Sequence, residues 1–216
     1  MVTKKMKLSG FFACLALCGL LLVEGCGGAP QQTALPAGAR VLVLGDSLSY
    51  GTGAGEDEDY PTLLAQKTGW AVINAGIPGD TSAGGLKRVT ALLDEHAPQL
   101  LLLELGGNDF LRRVPRETTT ANLRGILQEA GSRGIPAVLV ATPQPNLFGA
   151  AVGSLSDDPI YREIAEDMGV ALIEEVLAEV LSDNALKSDP IHPNAEGYRR
   201  VAEGIYLALQ QQGFAR

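Results

Sequence analysis

Five short apolar runs punctuate the chain, at residues 41–44, 71–73, 100–105, 137–141 and 171–173, and each is continuous rather than alternating. Alternation marks a strand with one wet face, whereas an unbroken run suits a parallel strand covered on both faces. Segments with helical character lie between the runs, at about residues 60–68, 81–95, 117–132 and 159–168, and two more follow at about 174–181 and 194–211. The repeated strand–helix order predicts an α/β fold, a three-layer αβα sandwich around a five-stranded parallel sheet. Helix ends carry matching punctuation: Gly69, Gly134 and Gly169 fall where a left-handed residue closes a last turn, Thr81 or Ser82 is placed to cap one helix, and Asn194 another. The longest stretch without a pattern, residues 142–158, holds Pro143, Pro145, Gly149 and Gly153 and is expected to form a lip over the substrate.

The first residues follow a different rule. Lys4, Lys5 and Lys7 precede an apolar run from Leu8 to Val23, and Gly25 and Cys26 follow. Charge, apolar run and small residue in that order form a secretory signal. The run Val23-Glu24-Gly25-Cys26 resembles a bacterial lipobox, which implies a lipoprotein signal peptide over residues 1–25 and a lipidated Cys26. Residues 26–39, rich in Gly, Ala, Pro, Gln and Thr, read as a flexible tether of roughly 40 Å when extended. The folded domain is then residues 40–216, exported and lipid-anchored to a bacterial membrane on its periplasmic or other extracytoplasmic face. An uncleaved anchor and simple secretion are the other readings, although the apolar run falls short of the roughly 20 residues of a helical span.

Of 216 residues, 46% are hydrophobic, enough for one domain with a sizeable core. Residues 1–25 carry three lysines and one glutamate, so the net charge of −8 becomes −10 without them. Such an acidic chain disfavours nucleic acid and anionic lipid as partners, leaving the lipid at Cys26 as the membrane contact. Cys14 and Cys18 lie in the signal, so no internal disulfide is possible in the processed chain.

Candidate chemistry gathers where strands end. Gly45-Asp46-Ser47-Leu48-Ser49-Tyr50-Gly51 follows the first apolar run and would leave Ser47 at a strand's carboxyl end, where open α/β sheets bind ligands. A serine hydroxyl needs a base, a carboxylate to orient that base, and donors for an oxyanion. Of the two histidines, His96 ends a helix ahead of Pro98, whereas His192 lies in Ser188-Asp189-Pro190-Ile191-His192-Pro193-Asn194, with Asp189 within reach of its ring. Gly106-Gly107-Asn108-Asp109 follows the third run and offers a neutral amide donor in Asn108. Gly79 follows the second run at a helix entry, where an N–H can face negative charge. Each segment taken alone is an ordinary turn.

In order, Ser47, Gly79, Asn108, Asp189 and His192 resemble the four sequence blocks of the SGNH (GDSL) hydrolase family, most closely its thioesterase I / lysophospholipase L1-like and arylesterase branch. The resemblance covers the domain from about Arg40 onward and implies a flavodoxin-like fold. It also implies Ser47 as nucleophile, His192 as base, Asp189 as its orienting acid, and an oxyanion site made by Ser47 N–H, Gly79 N–H and the Asn108 side chain. It implies a serine esterase acting on small acyl esters or thioesters through an acyl-enzyme, with no cofactor and no metal. The chain departs from the branch at Tyr50 and at Phe110-Leu111-Arg112-Arg113, and Phe110 and Phe148 are expected to line an apolar acyl site. Glu104, alone among apolar neighbours, is expected to have a partner or to face water, with a supporting role near Asn108 as the sharper reading.

Rival readings are a carbohydrate O-acetyl esterase built on the same machinery and a lipid-anchored binding protein without catalysis. A phosphate cradle at Gly51-Thr52-Gly53-Ala54-Gly55 is disfavoured by the acidic run Glu56-Asp57-Glu58-Asp59 that follows it.

Overall fold

The computed structural model describes residues 1–3, 33–144 and 154–216. Five strands, β1 (Arg40–Gly45), β2 (Ala71–Asn74), β3 (Leu100–Glu104), β4 (Ala137–Val140) and β5 (Ala171–Ile173), pair in parallel in the order β2-β1-β3-β4-β5. The order reverses between β1 and β3, and in such sheets a crevice opens at the carboxyl ends of the two strands flanking the reversal.

The apolar runs are continuous because both faces of the sheet are covered. Val41, Val43, Leu100, Leu102, Val138 and Val140 point to a core shared with α2 (Tyr60–Thr68), α7 (Val176–Ser182) and α8 (Ala195–Gln211). Leu42, Leu44, Leu101, Leu103 and Leu139 point the other way, against α3 (Ser82–His96), α5 (Arg116–Ser132) and α6 (Ile160–Met168). This is the expected three-layer αβα sandwich. Thr81 caps α3 by accepting from Gly84 N–H, and Asn194 caps α8 by accepting from Gly197 N–H. Left-handed Gly69 and Gly169 close α2 and α6.

Two short helices were not evident from periodicity: α1 (Ser47–Tyr50) after β1 and α4 (Gly107–Leu111) after β3. Each is about one turn, too short to show a repeat. The segment 142–158 is tied at its base, where Pro143 and Asp157 form an antiparallel bridge, Gln144 N–H donates to Ser156 O at 2.9 Å and Asp158 N–H to Thr142 O at 3.1 Å. Phe148 lies outside the described residues, as does Cys26.

Gly106 links β3 to α4 with φ 124° and ψ −24°, where a side chain is strained, and a Cβ there would overlap the Tyr161 hydroxyl. Gly106→Ala is expected to destabilise the fold by about 2–4 kcal/mol, read as a lowered urea midpoint at unchanged slope.

Candidate active site

β1 ends at Gly45, and the chain turns at Asp46, whose Oδ1 accepts from Leu48 N–H at 2.9 Å and so starts α1 with Ser47 as its first residue. The far end of the chain comes back to meet it. Residues 187–193 form a turn closed by a Lys187–Pro193 bridge and by Ser188 N–H donating to His192 O at 2.9 Å. The Tyr198 hydroxyl, one turn into α8, donates to Thr52 O at 2.8 Å and fastens this region to the loop after α1.

Within that turn Asp189 Oδ1 accepts from both Ile191 N–H and His192 N–H at 2.9 Å, while its Oδ2 lies 2.7 Å from His192 Nδ1. His192 Nε2 lies 3.0 Å from Ser47 Oγ. Partial burial works against the Asp189 carboxylate, but the bonds from the His192 ring and the two N–H groups outweigh it and hold the carboxyl below its ordinary range. An ionised Asp189 on Nδ1 selects the tautomer whose Nε2 is free to take a proton from Ser47.

Asn108 sits on α4 beside this pair, and its Nδ2 donates to Asp46 Oδ2 at 2.8 Å. Among the described residues the Asn108 amide makes no second hydrogen bond, although it carries two hydrogens. The loop after β2 is bound to the same edge, since Asn74 Nδ2 donates to Ser49 O at 2.7 Å and Ile77 N–H to Gly45 O at 3.2 Å. Gly79 in that loop has φ 78°, and its carbonyl accepts from Arg112 Nη2 at 2.8 Å. A second tie, from Ser82 N–H and Oγ to the Asp109 carboxylate at 2.8 and 2.5 Å, couples the loops after β2 and β3.

A cleft of about 170 Å³ opens over these groups and is lined by Ser47, Asn108 and His192 together with Leu48, Leu111, Leu155, Leu181 and Ile191. Gly79 is not part of that lining. A larger cavity, about 1240 Å³, is lined by carboxylates of α6, α7 and the segments beside them and contains none of Ser47, Asn108, Asp189 and His192, so size does not mark the site here. Among the described residues no His, Cys, Asp and Glu cluster could hold a metal ion.

Phe110 is not in the cleft either. It is 9% exposed and packs edge-on against Tyr161, their ring centroids 6.3 Å apart. The α4 turn rotates successive side chains by about 100°, so with Phe110 inward Leu111 faces out, 49% exposed, and lines the cleft in its place. Asp46 is the residue that motif reading undervalued. Its signal was position, a carboxylate directly before the serine.

Residues 43–200 match the family described as GDSL-like Lipase/Acylhydrolase. The chain belongs to this family. Among relatives of this acylhydrolase, the thioesterase 1/protease 1/lysophospholipase L1 of Escherichia coli is 36% identical over 81% of this chain and 85% of that one. The arylesterase of Vibrio mimicus is 35% identical over 82% of this chain and 92% of its own. The crystal structure of TesA superposes with a TM-score of 0.72 at 32% identity, covering 80% of this chain and 99% of that one. As a GDSL acylhydrolase with relatives of these kinds, the protein is a carboxylic ester hydrolase.

Asp46 also makes the acylhydrolase fold sensitive to pH. Burial raises its carboxyl to about 6, against the bonds from Leu48 N–H and Asn108. A raised carboxyl binds its proton more tightly folded than unfolded, so its contribution to stability is complete below the unfolded value of 3.8 and is lost as pH rises through about 6. The D46N variant is therefore expected to gain on the parent by up to about 3 kcal/mol between about pH 4 and pH 7, measured as urea unfolding free energies at the two pH values.

Proposed function

We propose that this hydrolase cleaves small acyl esters or thioesters through a covalent acyl-enzyme on Ser47. The alignment of Ser47 Oγ, His192 Nε2 and Asp189 Oδ2 at 3.0 and 2.7 Å carries the reading. Ser47 Oγ attacks the acyl carbon as His192 Nε2 takes its proton, with Asp189 stabilising the imidazolium. The carbonyl oxygen becomes an oxyanion and accepts from Asn108 Nδ2. Ser47 N–H is a second donor, because the first N–H of a helix has no acceptor within the helix; Gly79 N–H is a third by the family resemblance alone, since Gly79 does not line the cleft. The tetrahedral intermediate then collapses, and the alcohol or thiol leaves with the proton from His192. In the second half water gives a proton to His192 and attacks the acyl carbon, and Ser47 recovers its proton as the acid departs.

The cleft volume of about 170 Å³ is close to that of an engineered cavity that binds benzene, about 150 Å³. Its lining is mostly apolar, so short acyl groups and aryl esters suit it better than a sugar ring. Export and lipid attachment at Cys26 complete the reading and rest on the signal and lipobox residues 4–26. No helix among the described residues is long and apolar enough to cross a membrane.

A fluorophosphonate probe is expected to label the folded protein and to fail on Ser47→Ala; absence of labelling on the parent would favour a binding protein. Release of short acyl groups from aryl esters, acyl thioesters and acetylated sugars should follow that order, and preference for the sugars would favour the O-acetyl esterase. Asn108→Ala should lower kcat by about 10²- to 10³-fold. Incorporation of labelled fatty acid in a bacterial host should disappear in Cys26→Ala.

A further inference from the structure

A fully buried carboxyl group lies beneath the nucleophile turn and has no salt-bridge partner among the described residues. Glu104, 0% exposed, pairs in register with Gly45 across β1 and β3. Its Oε2 accepts from Ser49 Oγ at 2.8 Å, and Asp46 N–H points at the same oxygen from 3.5 Å. Ser49 Oγ lies 2.7 Å from the Tyr60 hydroxyl, so Tyr60 can donate to Ser49 while Ser49 donates to Glu104. Glu104 Oε1 has no partner among the described residues. The groups facing this carboxyl are Asp46 from the β1–α1 turn, Tyr60 from α2, Tyr161 from α6 and Tyr198 from α8, and none is a cation. Asp46 in turn faces His192 and Asp80. The Arg88 guanidinium donates to Asp80 Oδ2, Ala75 O and Gly45 O, and no bond to Glu104 is among its contacts.

Two carboxylates in one dry space repel, and an ionised oxygen without a donor is costly to bury. The two acids also differ in their partners. Asp46 accepts from Leu48 N–H through one oxygen and from Asn108 through the other, bonds that favour its ionised form. Glu104 keeps an idle oxygen, the natural seat for a proton.

We propose that Glu104 is a positioning residue, a carboxylic acid kept neutral beneath the nucleophile turn so that Asp46 alone carries the negative charge that orients Asn108. Its other oxygen holds Ser49, and with it the α1 turn that carries Ser47. Burial, with the Asp46 carboxylate second, pushes the Glu104 carboxyl well above the ordinary carboxylate range, in keeping with this arrangement. Were Glu104 ionised, Asp46 would be driven to take the proton, and the Asn108 amide would lose its acceptor.

The catalytic part of this inference rests on the esterase reading above, but its spectroscopic part does not. In the parent at neutral pH, the infrared carbonyl stretch of a protonated carboxylic acid is expected, and it should vanish in Glu104→Gln. Glu104→Gln reproduces the neutral acid and should keep kcat within about threefold of the parent. Glu104→Ala strands Ser49 and the Asp46 N–H, and should lower kcat by tenfold or more with KM nearly unchanged, on the order of what a small misplacement of reacting groups costs. A merely packing role would move the melting temperature without this split. Should Glu104→Ala not fold, the infrared comparison of parent and Glu104→Gln decides alone. Absence of the band in the parent, its persistence in Glu104→Gln, or equal kcat in the two variants would overturn the proposal.

Discussion

A parallel sheet delivers the carboxyl end of every strand to one edge, and this constraint makes the site possible. Ser47 follows β1, Gly79 lies beyond β2 and Asn108 follows β3, so three segments far apart in sequence are neighbours because β2, β1 and β3 are adjacent in the sheet. The histidine follows no strand directly. Its turn is brought in by α8, which buries Tyr198, Val201, Ile205 and Leu209 in the core on one face of the sheet and anchors through Tyr198 to Thr52. The 3.0 Å contact between Ser47 and His192, 145 positions apart in the chain, is thus a product of the hydrophobic core rather than of local turn chemistry.

Much of this was legible in the sequence because burial on both sheet faces leaves a plain signature. The five apolar runs coincide with the five strands to within a residue or so, and the helix caps at Thr81 and Asn194 form as their side chains suggest. That Ser47, Asp189 and His192 would meet was legible too, because few residue types suit such an alignment and the chain has only two histidines. Orientation was not legible where an element is one turn long. Nothing in Phe110-Leu111 states which residue faces inward, and the answer depends on the Tyr161 ring contributed by α6.

Polar contacts between elements were equally hidden. The sequence shows Glu104 as a charge in an apolar strand, and the simplest resolution is a cation or water at its side. The fold instead gives it the Ser49 hydroxyl on α1, itself bonded to Tyr60 on α2, and pairs Arg88 with Asp80. Arg112 is another case, because an exposed residue after the Asn block reaches across to hold the Gly79 carbonyl. Such bonds link residues tens of positions apart, and no periodicity encodes them.

The bridge between Pro143 and Asp157, with the bonds from Gln144 to Ser156 and from Asp158 to Thr142, acts as a collar that ties residues 142–144 to residues 156–158. Because the entropy of closing a loop grows only with the logarithm of its length, what lies beyond such a collar can lengthen, shorten or change composition at little cost to the domain. Sequence between residues 144 and 156 can therefore drift among descendants of this scaffold while the sheet edge beneath stays fixed. The collar separates the part of the gene free to diversify from the part that is not.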